Sequence, residues 1–216
     1  MASETSTQRL RLTFAKGEAV RYISHLDLAR ALERAFRRAG LPLVYSQGFS
    51  PRPKFALGAA LPVGVTGRAE VMDIWLSPPL QPVVVAQRLA AQMPRDMAIR
   101  AIRQVDLDAP ALQAAMRWAE YLVALGAMPQ DLDERVCRFL AAEHLPRTRL
   151  HKGQERAYDL RPLVDQLRVV ADDGPALFMR LANSSTATGR VDEVLAELGL
   201  SDMAWRAERI KLVWEM

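Results

Sequence analysis

The chain is 216 residues long, half of them apolar and a quarter charged, with a net charge of +4. This is the ordinary balance of a globular protein of one large domain or two small ones. No run reaches the roughly 20 apolar residues that cross a bilayer, and Met1–Gln8 is polar rather than a charged-then-apolar leader. The single cysteine, Cys137, excludes intrachain disulfides, thiolate zinc sites and cysteine-held iron–sulfur clusters within the polypeptide. A cytoplasmic protein without membrane partner, metal or cofactor is expected.

In chain order, Arg9–Ala15 alternates with the period-2 pattern of a strand. Ser24, followed three residues later by Asp27, makes a capping-box-like helix start, and Leu26, Ala29, Leu32, Phe36 and Ala39 recur at helical spacing. Leu41–Tyr45 and Glu70–Leu76 read as strands, Val83–Gln92 as a second helix and Met97–Val105 as a last strand. Asp73, an acid in that apolar third strand, is expected to be the exposed residue of an alternating pattern rather than a buried partner for an arginine. The order β-α-β-β-α-β is that of a ferredoxin-like unit. Asp106–Ala114 reads as a linker. The second half offers Met116–Leu125, Gln130–Glu143, Arg147–Leu150, Ala176–Ala182, Arg190–Leu198 and Trp205–Trp214 in a similar order. Tyr158–Val170 has no counterpart in the first half and is expected to be an inserted short helix. Cys137, on an amphipathic helix, is expected to be a buried structural thiol.

The halves also match in sequence at an offset of about 105 residues: Met97–Arg103 and Met203–Arg209 share five of seven residues. The expected fold is therefore α+β, with two tandem ferredoxin-like (β-α-β-β-α-β) units arising from an internal duplication. They are expected over residues 9–108, carrying a basic helix and a Pro-rich loop, and over residues 115–216.

Charge is segregated along the chain. Between Arg9 and Lys54 ten Lys or Arg face three acids, a local balance of +7, which leaves −3 for the remainder. Such segregation suits a polyanion. Arg30, Arg34, Arg37 and Arg38, at i, i+4, i+7 and i+8, project from one helical face; the alternative is a solvated face. Tyr45-Ser-Gln-Gly-Phe-Ser-Pro-Arg-Pro-Lys54 is a loop stiffened by two prolines. Its Tyr45 and Phe49 could stack on bases, while Gln47, Ser50, Arg52 and Lys54 could meet phosphates, as could Arg21 at the start of the same basic stretch. Arg147, Arg149 and Lys152 form a second basic segment at the equivalent place in the second half. His25, in the first turn of the basic helix, sits where backbone N–H groups can hold a phosphate and where the helix dipole favours neutral imidazole.

Tyr22-Ile-Ser-His-Leu-Asp27, Arg38-Ala-Gly-Leu-Pro42, Tyr45–Lys54 and Ala59-Ala-Leu-Pro-Val-Gly64 together resemble the bacterial radical-SAM-linked domain family of unknown function, from about residue 9 to the C-terminus. The resemblance implies an RNA-related or modification-related role and a radical SAM enzyme or an E/G-type ribonuclease as partner. This chain has no cysteine triplet for a radical SAM cluster, so it would be the appended module alone. More distantly the sequence is similar to the CRISPR repeat-processing endoribonucleases, tandem ferredoxin-like proteins whose glycine-rich C-terminal loop it lacks.

Three functions stand as expectations. The first is an RNA-binding or RNA-enzyme accessory protein, a binder more than an enzyme. The second is a metal-independent endoribonuclease or RNA-modification subunit with His25 as base and Tyr22 or Lys54 assisting. The third is a protein-interaction module for a radical SAM enzyme.

Overall fold

The computed structural model describes residues 6–214 other than 152, 172–173 and 185. The fold is α+β, and the chain divides into two compact units, 1–115 and 116–216.

In the first unit, β1 (Gln8–Lys16) leads through a 3-10 turn at Glu18–Val20 into α1 (His25–Arg38). Then come β2 (Phe55–Leu57), β3 (Thr66–Leu76), α2 (Pro82–Ala90), β4 (Met97–Val105) and the short α3 (Leu112–Ala115). The sheet order is β4-β1-β3-β2, with every neighbouring pair antiparallel. Alternation along β1 sends Leu10, Leu12 and Phe14 to the face on which the helices pack. There they meet Leu28, Leu32 and Phe36 of α1 and Val85 and Leu89 of α2, all buried. Each such side chain contributes about 1.5–3 kcal/mol of burial. α1 begins where the Ser24 hydroxyl accepts the Asp27 N–H. It ends at Gly40, whose φ of 60° reverses the chain at no steric cost. At the other end of β1, an added Cβ on Gly17 would lie 2.4 Å from the Asp96 carboxyl, which itself accepts the Ala19 N–H.

The second unit runs β5 (Met116–Leu125), α4 (Leu132–Ala141), β6 (Pro146–His151), β7 (Gln154–Asp159), β8 (Val164–Val170), β9 (Ala176–Ala182), α5 (Val191–Glu197) and β10 (Trp205–Trp214). Its sheet order is β10-β5-β9-β8, antiparallel throughout, while β6 and β7 form a separate hairpin. In both units the last strand lies beside the first, and the first beside the third.

Several expectations are corrected. Leu41–Tyr45 makes only isolated bridges, Leu43 to Leu76 and Tyr45 to Pro53, and the second strand lies instead at Phe55–Leu57. Pro42 and the paired prolines at 51 and 53 remove ladder donors, so pairing resumes only after them. Tyr158–Val170 is not a helix: a single 3-10 turn at Arg161–Leu163 opens directly into β8. Asp73 is fully buried between Arg9 and Arg11 rather than exposed. Cys137 is exposed, because Leu132, Val136 and Phe139 define the buried stripe of α4 and residue 137 falls outside it. Among the described residues no helix is long and apolar enough to cross a membrane.

Candidate nucleic-acid interface

The loop between α1 and β2 is closed at its base and open at its tip. Tyr45 bridges Pro53, the Ser46 N–H donates to the Arg52 carbonyl at 2.9 Å, and the Arg52 N–H donates to Ser46 Oγ at 3.1 Å. These contacts hold a narrow neck, and Gly48, at φ 125°, turns the chain at the tip. Ser46–Arg52 is exposed throughout, Gln47 and Ser50 included, and Phe49 is wholly in solvent at 110% of its reference area. Tyr45 is 42% exposed. Leaving a phenyl ring in water forgoes roughly 1.5–3 kcal/mol of burial, so packing does not explain Phe49. Phe55, by contrast, is core: its ring meets that of Phe36 edge-on at 5.5 Å. Arg52 and Lys54 have no acidic partner among the described residues; Lys54 Nζ instead lies 4.7 Å above the Trp75 ring.

Trp75 and Arg9 are the residues that sequence reasoning missed. The Arg9 guanidinium lies 5.1 Å from the centre of the same ring, and its Nε and Nη2 donate to Asp73 Oδ2 at 2.9 and 2.6 Å. Arg11 adds two more bonds to the same carboxylate, at 2.8 and 2.9 Å. Asp73 thus holds two arginines on the sheet face opposite the helices, beside the tryptophan. The signal was available: Arg9 and Arg11 alternate with Leu10 and Leu12, so period 2 puts both on that face, and only the β1–β3 register was missing.

On α1, Arg30, Arg34, Arg37 and Arg38 are all exposed, but they are not equally free. Arg30 pairs with Asp27 at 3.2 Å and Arg37 with Glu33 at 2.6 Å. Arg38 donates to the side chain and carbonyl of Gln92. Only Arg34 of the four lacks an ion pair or hydrogen bond among the described residues. The Ser24 hydroxyl, then Arg30, holds the Asp27 carboxyl below the usual range. Such surface pairs at i+3 and i+4 are worth a few tenths of a kcal/mol and yield readily to a phosphate.

The proposed catalytic trio is not assembled. Tyr22 and His25 lie at the N-terminal end of α1, where Lys16 Nζ reaches the carbonyls of Arg21 and Val65 and Lys16 pairs with Gly67. Lys54 is bonded to Trp75, eight residues along β3 from Gly67, a separation of about 26 Å at roughly 3.3 Å per residue. His25 Nδ1 is buried and makes no hydrogen bond, whereas a general base needs its second nitrogen held by a partner. Tyr22, 66% exposed, lies under the Arg21 guanidinium, 4.5 Å from the ring centre, and its hydroxyl accepts from Arg21. Arg21 also pairs with Glu18 at 2.8 Å. The Tyr22 hydroxyl first, and then Glu18, push the Arg21 pKa up.

The second basic segment differs in kind. Arg147 pairs with Glu197, and Arg149 pairs with Glu193 at 2.7 Å while lying 4.7 Å from the Tyr158 ring centre. Glu193 raises the Arg149 pKa, and burial followed by Glu193 raises that of the Tyr158 phenol. These arginines fasten the hairpin β6–β7 to α5 instead of facing a ligand. Lys152 lies outside the described residues. No group of three His, Cys, Asp or Glu among the described residues could hold a metal ion.

The model of a family described as an uncharacterised protein conserved in bacteria matches residues 9–191, and the chain belongs to that family. No curated protein matches the chain. Among solved structures, a chain of a Cbf5–Nop10–Gar1 complex is similar at 12% identity and a TM-score of 0.48, over 94% of this chain and 48% of the other. The present chain therefore spans about half the length of that one. An unknown protein from Galdieria sulphuraria aligns at 12% identity and a TM-score of 0.29, covering 95% of this chain and 100% of the other. A putative glycine cleavage system transcriptional repressor aligns at 11% identity and 0.25, covering 97% and 99%.

Proposed function

We propose that this member of a bacterial family is an RNA-binding or RNA-enzyme accessory protein of the cytoplasm, acting through its first unit. The observation that carries the reading is Phe49, wholly exposed at the tip of a narrow loop whose Arg52 and Lys54 meet no acid among the described residues. An exposed aromatic beside unpaired cations offers stacking to a base and charge to its phosphates. Arg34, and Arg30, Arg37 and Arg38 by exchange of weak surface contacts, extend the positive track along α1. We read the strand order common to the two units as a tandem ferredoxin-like duplication whose copies have diverged, the first toward a ligand. The radical SAM enzyme or ribonuclease implied by the sequence resemblance is the partner this accessory role would serve; co-purification that survives nuclease treatment tests that part. The endoribonuclease alternative has less support, since Lys54 and His25 lie at opposite ends of β3 and His25 Nδ1 has no hydrogen-bond partner among the described residues.

The test is fluorescence anisotropy with a fifteen-nucleotide single-stranded RNA over a range of salt. Affinity is expected to fall steeply as salt rises, because phosphate contacts release counterions. Arg52→Glu with Lys54→Glu should weaken binding more than about tenfold, and Phe49→Ala should cost about 1–3 kcal/mol. Salt-independent binding, or variants that bind as the parent does, would overturn the reading.

A further inference from the structure

The first unit has a second surface, away from the loop, that no part of the RNA reading uses. An open groove of about 560 Å³ runs between α2 and β4. Val83, Ala86 and Ala90 form its helical wall; Val83 is 60% exposed. Ile99 and Ile102 form its floor, since they pair with Phe14 and Leu12 and so face the helices. β4 is the outer strand of its sheet, bonded to β1 on one side only, so its other edge has no strand partner among the described residues. An unpaired edge beside an apolar groove is where an added strand gains most: its backbone completes the ladder, and alternate side chains drop into the groove.

Charge decides what that strand can be. No acid lines the groove, and Met97–Val105 contains none, whereas Arg100 and Arg103 are exposed and without ion pairs among the described residues. Arg100 is the extra residue of a β-bulge, since Ala101 pairs with Thr13 and Ile99 with Phe14. Bulges and charges are the usual guards of an open edge. Pairing of two copies edge to edge would add like charges to an edge whose Arg103 already lies opposite Arg11 on β1, which favours an acidic partner over a second copy. Beyond the bulge, Ala101–Val105 runs as a regular strand open to a partner of opposite charge.

We propose that β4 accepts, by strand addition, an extended segment of a partner protein in which apolar residues alternate with Asp or Glu. The apolar side chains enter the groove beneath α2, and the acids on the other face meet Arg103, with Arg100 at the bulge fixing one end.

The test uses the full chain and two ten-residue synthetic peptides, valine alternating with glutamate or with lysine, with amide hydrogen exchange as the readout. The glutamate peptide should slow exchange over 101–105 by at least about tenfold, and the lysine peptide should not. Arg100→Glu with Arg103→Glu should reverse that preference. Ala90→Trp, which fills the groove from an exposed helix position, should weaken the glutamate peptide about tenfold with thermal unfolding unchanged. The proposal is overturned if neither peptide protects β4 at millimolar concentration, or if both do so equally. Protection that grows with protein concentration alone, as self-pairing would give, also overturns it.

Discussion

The two units share a strand order yet treat their charges in opposite ways. After α1, the basic loop of the first unit leaves Arg52 and Lys54 without acids among the described residues and puts Phe49 into water. After α4, the equivalent segment of the second unit spends Arg147 on Glu197 and Arg149 on Glu193. The sheets of both units bury charge, Arg209 of β10 at 1% exposure among it, but their acids lie at different depths. The first unit buries Asp73 completely, with four hydrogen bonds from Arg9 and Arg11, while the second keeps Glu120 and Arg180 at 10% and 29% exposure. Cations open to a ligand and cations already neutralised thus stand at equivalent places in the two units, and a count of basic residues by sequence segment does not distinguish the two conditions.

The largest expected effect breaks the buried cluster. Asp73→Ala leaves two arginines, one of them buried, without their carboxylate and should cost about 3–5 kcal/mol in urea unfolding. Glu120→Ala, which leaves Arg180 its second partner Asp165, should cost less, about 1–2 kcal/mol. Equal losses would mean that burial does not separate the two. Next comes the ligand contrast. Arg147→Gln with Arg149→Gln should leave RNA affinity within about twofold, set against the more than tenfold loss expected from the loop variants. Helix caps sharpen the comparison further. Ser24→Ala removes a bonded cap from α1 and should cost about 1 kcal/mol. Asp131, which caps α4 without a side-chain bond and only pairs with Arg135, should cost no more than about 0.5 kcal/mol when replaced by Ala.

The smallest effect is one of pH at the corner of the β6–β7 hairpin. Asp159 accepts from His144 at 2.8 Å and from the Leu145 and Arg161 N–H groups, and these bonds, His144 first, hold its carboxyl below the usual value. A depressed folded-state value means that the carboxylate stabilises the fold above the unfolded pKa of about 3.9, and that the contribution is lost as pH falls through the folded value. Protection factors of the β6 and β7 amides, taken against intrinsic exchange at each pH, should therefore fall below about pH 4, and Asp159→Asn should remove that dependence.

Much of this was readable in the chain. β1, α1, β3, α2, β4, β5, α4, β9, α5 and β10 all follow from periodicity and end signals, because each buries one face and the pattern records which. What could not be read depends on pairing. The second strand of the first unit lies ten residues beyond the segment with the best strand pattern, since Pro42, Pro51 and Pro53 delay the ladder until Phe55. Val164–Val170 becomes a strand because β9 offers it an edge, although Arg161-Pro162 suggests a helix start. The candidate site was legible as composition, in Phe49, Arg52 and Lys54, but not as electrostatics. That Arg147 and Arg149 are neutralised depends on acids 44 to 50 residues away.

One detail of the ladders bears on how a chain with two similar units folds at all. In the first unit the cross-strand pair is Arg11 on the first strand and Asp73 on the third; in the second it is Glu120 on the first and Arg180 on the third, the same pairing with the signs exchanged. A chain that mispaired while collapsing, β1 with β9 or β5 with β3, would set arginine against arginine or carboxylate against carboxylate in the sheet interior, at a cost of several kcal/mol. The inversion thus acts as a lock against crossed assembly. Exchanging the second pair, Glu120→Arg with Arg180→Glu, also breaks the Arg180–Asp165 pair and so lowers native stability, but it should lower the yield of correctly refolded protein after rapid dilution from denaturant by more than Asp165→Ala does.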